Sequence, residues 1–329
     1  MRIFRTLDEI PPDFGPSALT IGNFDGVHAA HRRILRRVKE VAAERGLKAS
    51  ALTFNPHPSK VVAPARAPRL MTTPEQRCAL MQEEGIAQVF IMPFDRHVAH
   101  LAPEQFVEQV LVRKLDVRAV VLGHDFCFGH KQSGNVRVLT ELGKKYGFTT
   151  EEVKAVKVRG RLVSSTALRQ LIEAGLVAQA ARLLERPYAL EGEVVAGRGV
   201  GSKQTVPTLN LAANTEVLPA TGVYVTRTHH LENGRAWPSV TNVGYRPTFG
   251  HNREISIETF LLEPLTAETP RRIRVEFLWR VRPERQFPDA QALKQQILRD
   301  AGLALAYFRR VKKWTCRSDS PVDSRRNVS

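Results

Sequence analysis

Cysteine is scarce in this chain: Cys78, Cys127 and Cys316 are its three cysteines, and they lie far apart. An odd number at such spacing predicts neither a disulfide framework nor a zinc cluster, and it is typical of a reducing compartment. No apolar run is long enough to cross a bilayer. The N-terminal residues MRIFRTLDEIPPDFG lack the apolar core and the cleavage site of a secretory signal. These absences predict a cytoplasmic protein that does not contact membranes.

Acidic residues are also in deficit, because 49 lysines and arginines oppose 33 aspartates and glutamates and give a net charge of +16. Nucleic-acid binding would require this charge to be concentrated on one surface. The densest clusters, RRILRR at 32–37 and RRVKK at 309–313, instead have the pattern of solvated helix faces. A basic excess equally suits an enzyme whose substrates carry phosphate groups. Nucleic acid is therefore kept only as an alternative partner.

The chain has 329 residues, a length typical of two domains, and its sequence shows two different patterns. From Leu19 to about Gly175, apolar runs alternate with segments of helical spacing, which predicts a parallel sheet covered by helices on both faces. From about Pro187, short runs rich in β-branched and aromatic residues are separated by glycine, proline and asparagine. That pattern predicts an all-β unit, most simply a small barrel.

The change of sequence pattern places the domain boundary near Glu185 to Tyr188. We therefore predict a first domain at 1–186 and a second at 187–313, whose last element is a helix. The remaining stretch, 314–329, is polar and is expected to be a disordered tail.

The stretch TIGNFDGVHAAHRRIL places two histidines, His28 and His31, at the start of a helix that follows a strand and a glycine-rich turn. A helix N-terminus offers unpaired amides and partial positive charge to an anion, and residues three apart share one face. Phosphate binding is therefore the favoured interpretation. The alternatives are two surface histidines, or half of a metal site for which the sequence offers no convincing third ligand.

A second helix start, VSSTALRQLI, carries Ser164, Ser165 and Thr166, with Arg169 one turn later. Hydroxyls at this position are first of all helix caps. Together with free amides and an arginine they can also hold a triphosphate. Because each helix start follows a strand, where ligands of parallel sheets bind, the two are expected to converge on one nucleotide.

The motifs GNFDGVHxxH, LTFNPHP, VVLGHDFCFGHKQSGN and SSTxLR, in this order, resemble the FAD synthetase module of bacterial bifunctional riboflavin kinase/FMN adenylyltransferases, a branch of the nucleotidyltransferase superfamily. The resemblance continues through the β region and covers the chain to about Lys313. It implies an α/β Rossmann-like nucleotidyltransferase domain followed by an all-β riboflavin-kinase barrel with a C-terminal helix.

By this resemblance the first domain transfers AMP from ATP to FMN and releases pyrophosphate, with His28 and His31 as catalytic residues on the ATP phosphates. The family usually has glycine at position 30, where this chain has Ala30, so a methyl group is added close to the nucleotide. The implied ATP-binding residues are Gly22, Asn23, Phe24, Asp25, Gly26, His28, His31, Ser164, Ser165, Thr166 and Arg169. The implied flavin-binding residues are Phe54, Pro56, His57, Pro58, Asp125, Phe126 and Phe128, although the aromatic members could equally be packed in the core.

The second domain contains the glycine-rich loop GRGVGSKQTVPTLNL, which resembles the riboflavin kinase PTAN motif with Leu209 in place of alanine. By the resemblance, Thr208 and Asn210 hold Mg²⁺, and Glu258 is the catalytic base for the riboflavin hydroxyl. Taken alone, the loop could be a plain hairpin turn and Glu258 an outward-facing strand residue. The implied kinase-site residues for ATP and riboflavin are Gly197, Gly199, Gly201, Pro207, Thr208, Asn210, Asn242, Arg246, Pro247 and Thr248.

The sequence as a whole thus predicts a bifunctional enzyme of FAD biosynthesis that takes riboflavin, FMN and ATP as substrates and requires Mg²⁺. One alternative is an FMN adenylyltransferase with a degenerate kinase half, because Thr205 and Val206 also depart from the kinase motif. The other is a basic nucleic-acid-binding protein on the same scaffold. A homo-oligomer is compatible with the sequence.

Overall fold

The computed structural model describes residues 1–195, 208–245, 255–265 and 268–318. The chain forms two compact units, Met1–Arg169 with Arg182–Glu185, and Gln170–Ala181 with the chain from Arg186 onward. Within the described ranges, none of the helices combines the length and the apolar character needed to span a bilayer.

Strands and helices alternate up to Leu184. The strands are β1 (Arg2–Phe4), β2 (Ser17–Ile21), β3 (Lys48–Asn55), β4 (Gln88–Pro93), β5 (Val117–Gly123), β6 (Cys127–Phe128), β7 (Gly134–Asn135), β8 (Thr149–Val153), β9 (Lys157–Val158) and β10 (Arg161–Leu162). The helices are α1 (Ala29–Arg45), α2 (Pro58–Val62), α3 (Pro74–Glu83), α4 (Arg96–His100), α5 (Pro103–Phe106), α6 (Val136–Tyr146), α7 (Ser165–Glu173) and α8 (Val177–Leu184). Short 3₁₀ turns lie at Pro64–Arg66 and His130–Gln132, and a π-helical segment at Val107–Val112.

Six strands of the first unit form a parallel sheet in the order β1-β4-β3-β2-β5-β8. All five residues of β2 are buried, as expected for a strand covered on both faces. Alternate residues enter two separate apolar layers: Leu19 and Val120 belong to one, Ala18 and Val121 to the other. The predicted parallel sheet with helices on both faces is confirmed.

Helix α1 covers one face of this sheet because its apolar residues recur at helical spacing. Ile34, Leu35, Val38 and Val41 are all buried against the sheet. The helix ends at Gly46, whose φ of 63° is the left-handed conformation that a glycine C-cap supplies. Strands β3 and β5 flank β2 on opposite sides, and the predicted motifs follow the carboxyl ends of all three strands. In doubly wound sheets this is where ligands bind.

The second unit is a closed antiparallel barrel in the order β11-β12-β15-β14-β13-β16. Its elements are β11 (Tyr188–Val195), β12 (Thr208–Ala213), β13 (Gly222–His230), β14 (Ala236–Tyr245), β15 (Ile255–Leu261), β16 (Arg272–Pro283) and helix α9 (Ala290–Ser318). The predicted barrel with a C-terminal helix is confirmed. The helix ends at Ser318, and the disordered tail at 314–329 stays a prediction. Residues 319–329 lie outside the described part of the chain.

Hydroxyl groups fill part of the barrel interior. Thr226 lies 2.9 Å from the Ser239 hydroxyl and 2.8 Å from that of Thr241, and Thr241 lies 3.0 Å from the Thr259 hydroxyl. All four side chains are fully buried. Because each hydroxyl bonds another, the interior carries polar groups without a large desolvation penalty. Since side chains alternate along a strand, this interior set defines the opposite, outer face of each strand.

An apolar part of the outer face of β13 and β14 is covered by α9. Val223, Val225 and Val240 pack with the buried Ala304 of the helix. Tyr307 and Phe308 are partly buried against the same cluster. This contact fixes α9 on the barrel through the face that the hydroxyls do not use.

Charge on another part of the outer face makes the barrel sensitive to acid. The Glu276 carboxylate lies 3.2 Å from His229 Nε2. Burial raises the pKa of Glu276, but the contact with His229 and the charges of Arg274 and Arg227 outweigh it and hold that pKa below its usual value. The ionised carboxylate therefore stabilises the fold above the unfolded-state pKa, and this contribution is lost as pH falls through the folded-state pKa.

We expect the unfolding free energy of the second unit to fall between about pH 5 and pH 3, and to fall less in Glu276→Gln, which has no charge to lose. Urea titrations across this range, followed by circular dichroism, measure the difference. Replacing the exposed Glu263 with Gln is the matched control. Equal acid sensitivity of the Glu276→Gln variant and the unaltered chain would contradict the assignment.

Candidate functional site

A cavity of about 1160 Å³ opens at the carboxyl ends of β2, β3 and β5. Most residues that the sequence analysis assigned to ATP and flavin lie in its wall. They are Gly22, Asn23, Phe24, Asp25, His31, Phe54, His57, Pro58, Asp125, Phe126, Phe128, Ser165, Thr166 and Arg169. Four further assigned residues are outside the wall, namely Gly26, His28, Pro56 and Ser164. The structure therefore brings motifs from both ends of the first unit to one space.

The turn after β2 is held by the carboxylate of Asp25, which is only 2% exposed. It accepts hydrogen bonds from the Met71 amide at 3.0 Å and from the amide and hydroxyl of Thr72, both at 3.1 Å. Its other oxygen lies 2.7 Å from Nη2 of Arg169, and its backbone carbonyl accepts a bond from the Ser165 hydroxyl at 3.1 Å. One residue thus joins the turn, the segment before α3 and the start of α7. The predicted convergence of the two helix starts is visible in these contacts.

The backbone of this turn is strained. Phe24 has φ 49° and Val27 has φ 37°, values that are uncommon outside glycine and unfavourable for a β-branched side chain. Gly26 has φ 79°, and a Cβ there would meet the Met71 methyl group at 2.9 Å. Such strain persists where surrounding contacts over-determine it, which is typical of functional turns.

The two histidines of α1 form a stacked pair with different roles. His28 is the N-cap, and its Nδ1 accepts the His31 amide at 3.3 Å. The rings lie parallel at 3.6 Å, and His31 also meets the Phe24 ring edge-on at 5.1 Å. Because Nδ1 of His28 is an acceptor, the proton of its neutral ring is on Nε2. His31 lies in the cavity wall, His28 behind it, and the methyl group of Ala30 is not part of the wall.

A third histidine, His57, caps α2 in the same manner. Its Nδ1 accepts the Ser59 amide at 3.2 Å, so its neutral form also carries the proton on Nε2. Burial lowers the pKa of His57, the charges of Arg169 and Arg77 lower it further, and Asp25 opposes them. His57 is therefore a neutral hydrogen-bond donor in the wall at neutral pH.

Arg77 on α3 supports the turn after β2 without lining the cavity, and it was not predicted from the sequence. It is 1% exposed, and its Nη1 donates to the Asn23 carbonyl at 2.7 Å and to the Thr53 hydroxyl at 3.2 Å. Burial lowers the pKa of this guanidinium. The sequence did contain a signal for it, because Arg77 lies one helical turn before Met81, on the side of α3 that is buried.

Several phenylalanine rings also line the cavity. The Phe126 and Phe128 rings stack at 5.5 Å, Phe106 lies 5.9 Å from Phe128, and Phe54 meets Phe94 edge-on at 5.5 Å. Phe94 and Phe106 were not predicted. Phe106 and Phe128 also belong to the apolar layer of the sheet, so core packing and the cavity wall are compatible roles for the same rings.

In the barrel, three predicted polar residues stand side by side on neighbouring strands. Glu258 on β15 is directly opposite Asn210 of β12 and Asn242 of β14. All three lie on the outer face, since the adjacent Leu209, Thr259 and Thr241 form the buried interior row. Glu258 thus faces outward from the barrel. On this face its carboxylate lies between the amide side chains of Asn210 and Asn242.

Other predicted residues of the barrel fall elsewhere. Thr208 shares the outer face with Asn210 at the exposed start of β12. The predicted residues outside the described part of the chain are Gly197, Gly199, Gly201, Pro207, Arg246, Pro247 and Thr248.

Comparison with known proteins agrees with both halves of the structure. A family model described as FAD synthetase matches residues 11–167, and one described as riboflavin kinase matches residues 184–308. A bifunctional riboflavin kinase/FMN adenylyltransferase of Pseudomonas fluorescens is 34% identical over 93% of this chain and 97% of that protein. The chain belongs to this bifunctional family.

Other members of the bifunctional family show comparable likeness. The Escherichia coli K12 protein of the same name is 34% identical over 88% of this chain and 92% of its own length, and the Bacillus subtilis protein is 32% identical over 90% and 94%. A crystal structure described as a macrolide-efflux protein from Streptococcus pneumoniae has a TM-score of 0.80, covering 92% of this chain and 99% of that one. At 24% identity it supports the fold alone.

The buried Asp25–Arg169 pair should carry much of the stability of the first unit. Replacing Asp25 with Asn leaves the guanidinium without its anion, and breaking a buried pair in this manner costs about 3–5 kcal/mol. Urea denaturation measures the loss. Asp13→Asn is the matched control, because Asp13 also pairs with an arginine, Arg2, but at an exposed position. A loss in Asp25→Asn as small as in the control would contradict the role assigned to the pair.

Proposed function

We propose that this chain makes FAD from riboflavin in two ATP-dependent steps, with the barrel forming FMN and the first unit joining AMP to it. The observation that carries the proposal is the cavity of the first unit. Its lining includes hydroxyl, imidazole and guanidinium donors at two helix starts, together with a set of phenylalanine rings. A ligand that fits both has phosphates at one end and a flat apolar ring system at the other, as FMN beside ATP does.

The adenylylation step needs positioning more than acid–base chemistry. The FMN phosphate already carries negative charge and can attack the α-phosphorus of ATP in line, with pyrophosphate leaving. Catalysis is then alignment and stabilisation of the charge that develops on the phosphoryl oxygens. His31, Thr166 and the N-terminus of α7 supply donors for this purpose.

Arg169 is held in place for the same reaction. Its Nε donates to the Arg69 carbonyl at 2.7 Å and its Nη2 pairs with Asp25, so the guanidinium plane is fixed before a phosphate arrives. A fixed guanidinium loses less entropy when it binds a phosphate. We assign Asp25 to positioning and Arg169 to phosphate binding.

The kinase step is assigned to the outer-face row of the barrel. Glu258 would accept the proton of the riboflavin 5′-hydroxyl as that oxygen attacks the γ-phosphorus of ATP. Its cross-strand neighbours Asn210 and Asn242 can donate amide hydrogens to the carboxylate or to a phosphate. Leu209, one of the three departures from the family motif, faces the interior and is 3% exposed, so it does not touch this row. The other two, Thr205 and Val206, lie outside the described part of the chain. The substitution at Leu209 therefore gives no support to a degenerate kinase half.

Mg²⁺ fits the oxygen donors of this row. The amide oxygen of Asn210, the hydroxyl of Thr208 and the Glu258 carboxylate are the hard ligands that Mg²⁺ prefers. Among the described residues, no group of three or more histidine, cysteine, aspartate or glutamate side chains could hold a metal ion. We infer that Thr208 and Asn210 would hold Mg²⁺, which would neutralise negative charge on the ATP phosphates.

The alternative of nucleic-acid binding loses support because the cluster at 32–37 is largely paired. Glu84 lies 2.5 Å from Arg32 Nε and 2.7 Å from Arg36 Nε. Glu40, Glu44 and Glu151 all contact Arg37, and these bonds raise the pKa of its guanidinium. Much of the positive charge on this face is thus neutralised within the protein.

We also propose a cytoplasmic location, supported by the unpaired thiols of Cys78 and Cys127. Of the domain limits 1–186, 187–313 and 314–329, we retain the first boundary, between residues 186 and 187, as a proposal. The end of α9 at Ser318 moves the second limit beyond 313.

Incubation of the purified protein with riboflavin, ATP and Mg²⁺, followed by chromatographic separation of the flavins, tests the two steps together. We expect Glu258→Gln to lower kcat for FMN formation at least about 10²-fold, because it removes a general base. The same variant should form FAD from supplied FMN at the rate of the unaltered protein. If both activities fell together, the assignment of one step to each unit would be wrong.

His31→Ala should have the converse effect. Loss of one donor to the developing phosphoryl charge is expected to reduce FAD formation from FMN about 10²–10³-fold in kcat. Riboflavin phosphorylation by the same sample, which should be unchanged, verifies that the protein is folded. Retention of full adenylylation would reject the role given to His31.

A further inference from the structure

Two histidines that the sequence analysis did not single out, His100 and His130, lie in the wall of the cavity. His100 ends α4, and His130 follows Phe128 after strand β6. Their rings stack with centroids 5.1 Å apart and planes 23° apart. The His130 amide donates to the Leu101 carbonyl at 2.9 Å, which holds the two segments together. The pair therefore continues the aromatic wall with side chains that can also form hydrogen bonds.

The backbone fixes the tautomer of both rings. Nδ1 of His100 lies 2.5 Å from the Arg96 carbonyl, and Nδ1 of His130 lies 3.4 Å from the Ala99 carbonyl. A carbonyl oxygen can only accept, so each Nδ1 carries a hydrogen. In the neutral rings Nε2 is consequently an acceptor. This is the reverse of His28 and His57, whose Nδ1 atoms accept and whose Nε2 atoms donate.

The cavity wall thus has hydroxyl and guanidinium donors at Ser165, Thr166 and Arg169, and imidazole acceptors at His100 and His130. Phenylalanine rings provide no acceptor for a hydrogen-bonding edge of a ligand. The isoalloxazine ring of a flavin has one ring N–H, at N3, between two carbonyl groups. His130 is better placed than His100 to accept it, because His130 is half-buried and His100 is exposed. A partly desolvated acceptor discriminates more strongly between ligands with and without the matching donor.

The backbone beyond His130 gives independent support for a built site. Lys131 and Gln132, which also line the cavity, have φ of 52° and 58°, two consecutive left-handed residues that are not glycine. Strained backbone of this kind is concentrated where ligands are clamped. Both side chains carry N–H donors that can serve the carbonyl groups on either side of N3.

We propose that His130, held by its stacking on His100, accepts the hydrogen bond of the flavin N3–H and makes the adenylylation cavity selective for the pyrimidine edge of FMN. The inference rests on the proposed adenylylation function of this cavity. It assigns the flavin ring to the aromatic wall in one orientation, with the N3 edge toward α4 and the segment after β6.

N3-methyl-FMN, which lacks the donor, is the probe. We expect the unaltered protein to adenylylate FMN with a kcat/KM at least about 10-fold above that for N3-methyl-FMN, a ratio within reach of one hydrogen bond to a partly buried group. His130→Ala removes the acceptor and leaves room for the methyl group, so the ratio should fall to within about 3-fold of unity, mainly through KM for FMN. His97→Ala, an exposed histidine of the same helix as His100, is the matched control and should keep the full ratio.

Binding of FMN and N3-methyl-FMN measured by flavin fluorescence gives the same comparison without turnover, and phosphorylation of riboflavin by each variant verifies folding. If the unaltered protein does not adenylylate FMN at all, the function proposed for the cavity fails. If it adenylylates FMN and N3-methyl-FMN equally well, or if His130→Ala keeps the ratio of the unaltered protein, the function stands and the role of His130 is wrong.

Discussion

The carboxylate of Asp25 is the constraint on which the geometry of the first unit depends. It is buried, and it is compensated by two backbone amides, a hydroxyl and the guanidinium of Arg169. A buried charge is tolerable only with such a set of partners, and removal of any of them exposes the full desolvation cost of the others. The strained turn at Phe24 and Val27 is therefore held by an interaction that cannot relax gradually. The start of α7 is attached to the same carboxylate, so the two helix starts keep a fixed relation to each other.

In the barrel, the positions of the polar side chains are set by the alternation of inward- and outward-facing residues along each strand. Its interior is filled by apolar side chains and by the mutually bonded hydroxyls of Thr226, Ser239, Thr241 and Thr259. Each residue that faces inward commits its two neighbours to the outer face. Glu258 is consequently placed beside Asn210 and Asn242 by the same register that buries Thr259. If β15 slipped by one residue, the Glu258 carboxylate would move inside the barrel and Thr259 outside it. The slip is unfavourable because it would break the bonds between the interior hydroxyls.

Much of this arrangement follows from local patterns. The helical spacing of Ile34, Leu35, Val38 and Val41, and the alternation of such segments with short, largely apolar runs such as β2, are sufficient to predict a covered parallel sheet. Motifs such as GNFDGVH and SSTALR then locate the strand ends where a ligand binds. What local patterns do not contain is the partner of a side chain that is distant in sequence. The contact of Asp25 with Met71 and Thr72, and of Arg77 with the Asn23 carbonyl, depends on how α3 packs beneath the turn. Phe94, Phe106 and His100 reach the cavity in the same indirect manner, from segments without a recognisable motif. His130 lies within the motif at 120–135, but nothing in its local pattern marks it as part of the cavity wall.

The histidines show most clearly why residue type alone was insufficient. Sequence analysis treated His28 and His31 as equivalent donors to one phosphate, because residues three apart share a helix face. In the structure Nδ1 of His28 accepts a hydrogen bond from the His31 amide, and the His28 ring stacks behind the His31 ring, which lines the cavity. His57, His100 and His130 likewise have one ring nitrogen committed to the backbone, and which nitrogen is committed decides whether the other donates or accepts. An amide partner leaves a donor, as at His28 and His57, and a carbonyl partner leaves an acceptor, as at His100 and His130. The polarity of these four histidines is therefore set by backbone groups: amides at the beginnings of α1 and α2 leave donors, and carbonyls of α4 leave acceptors.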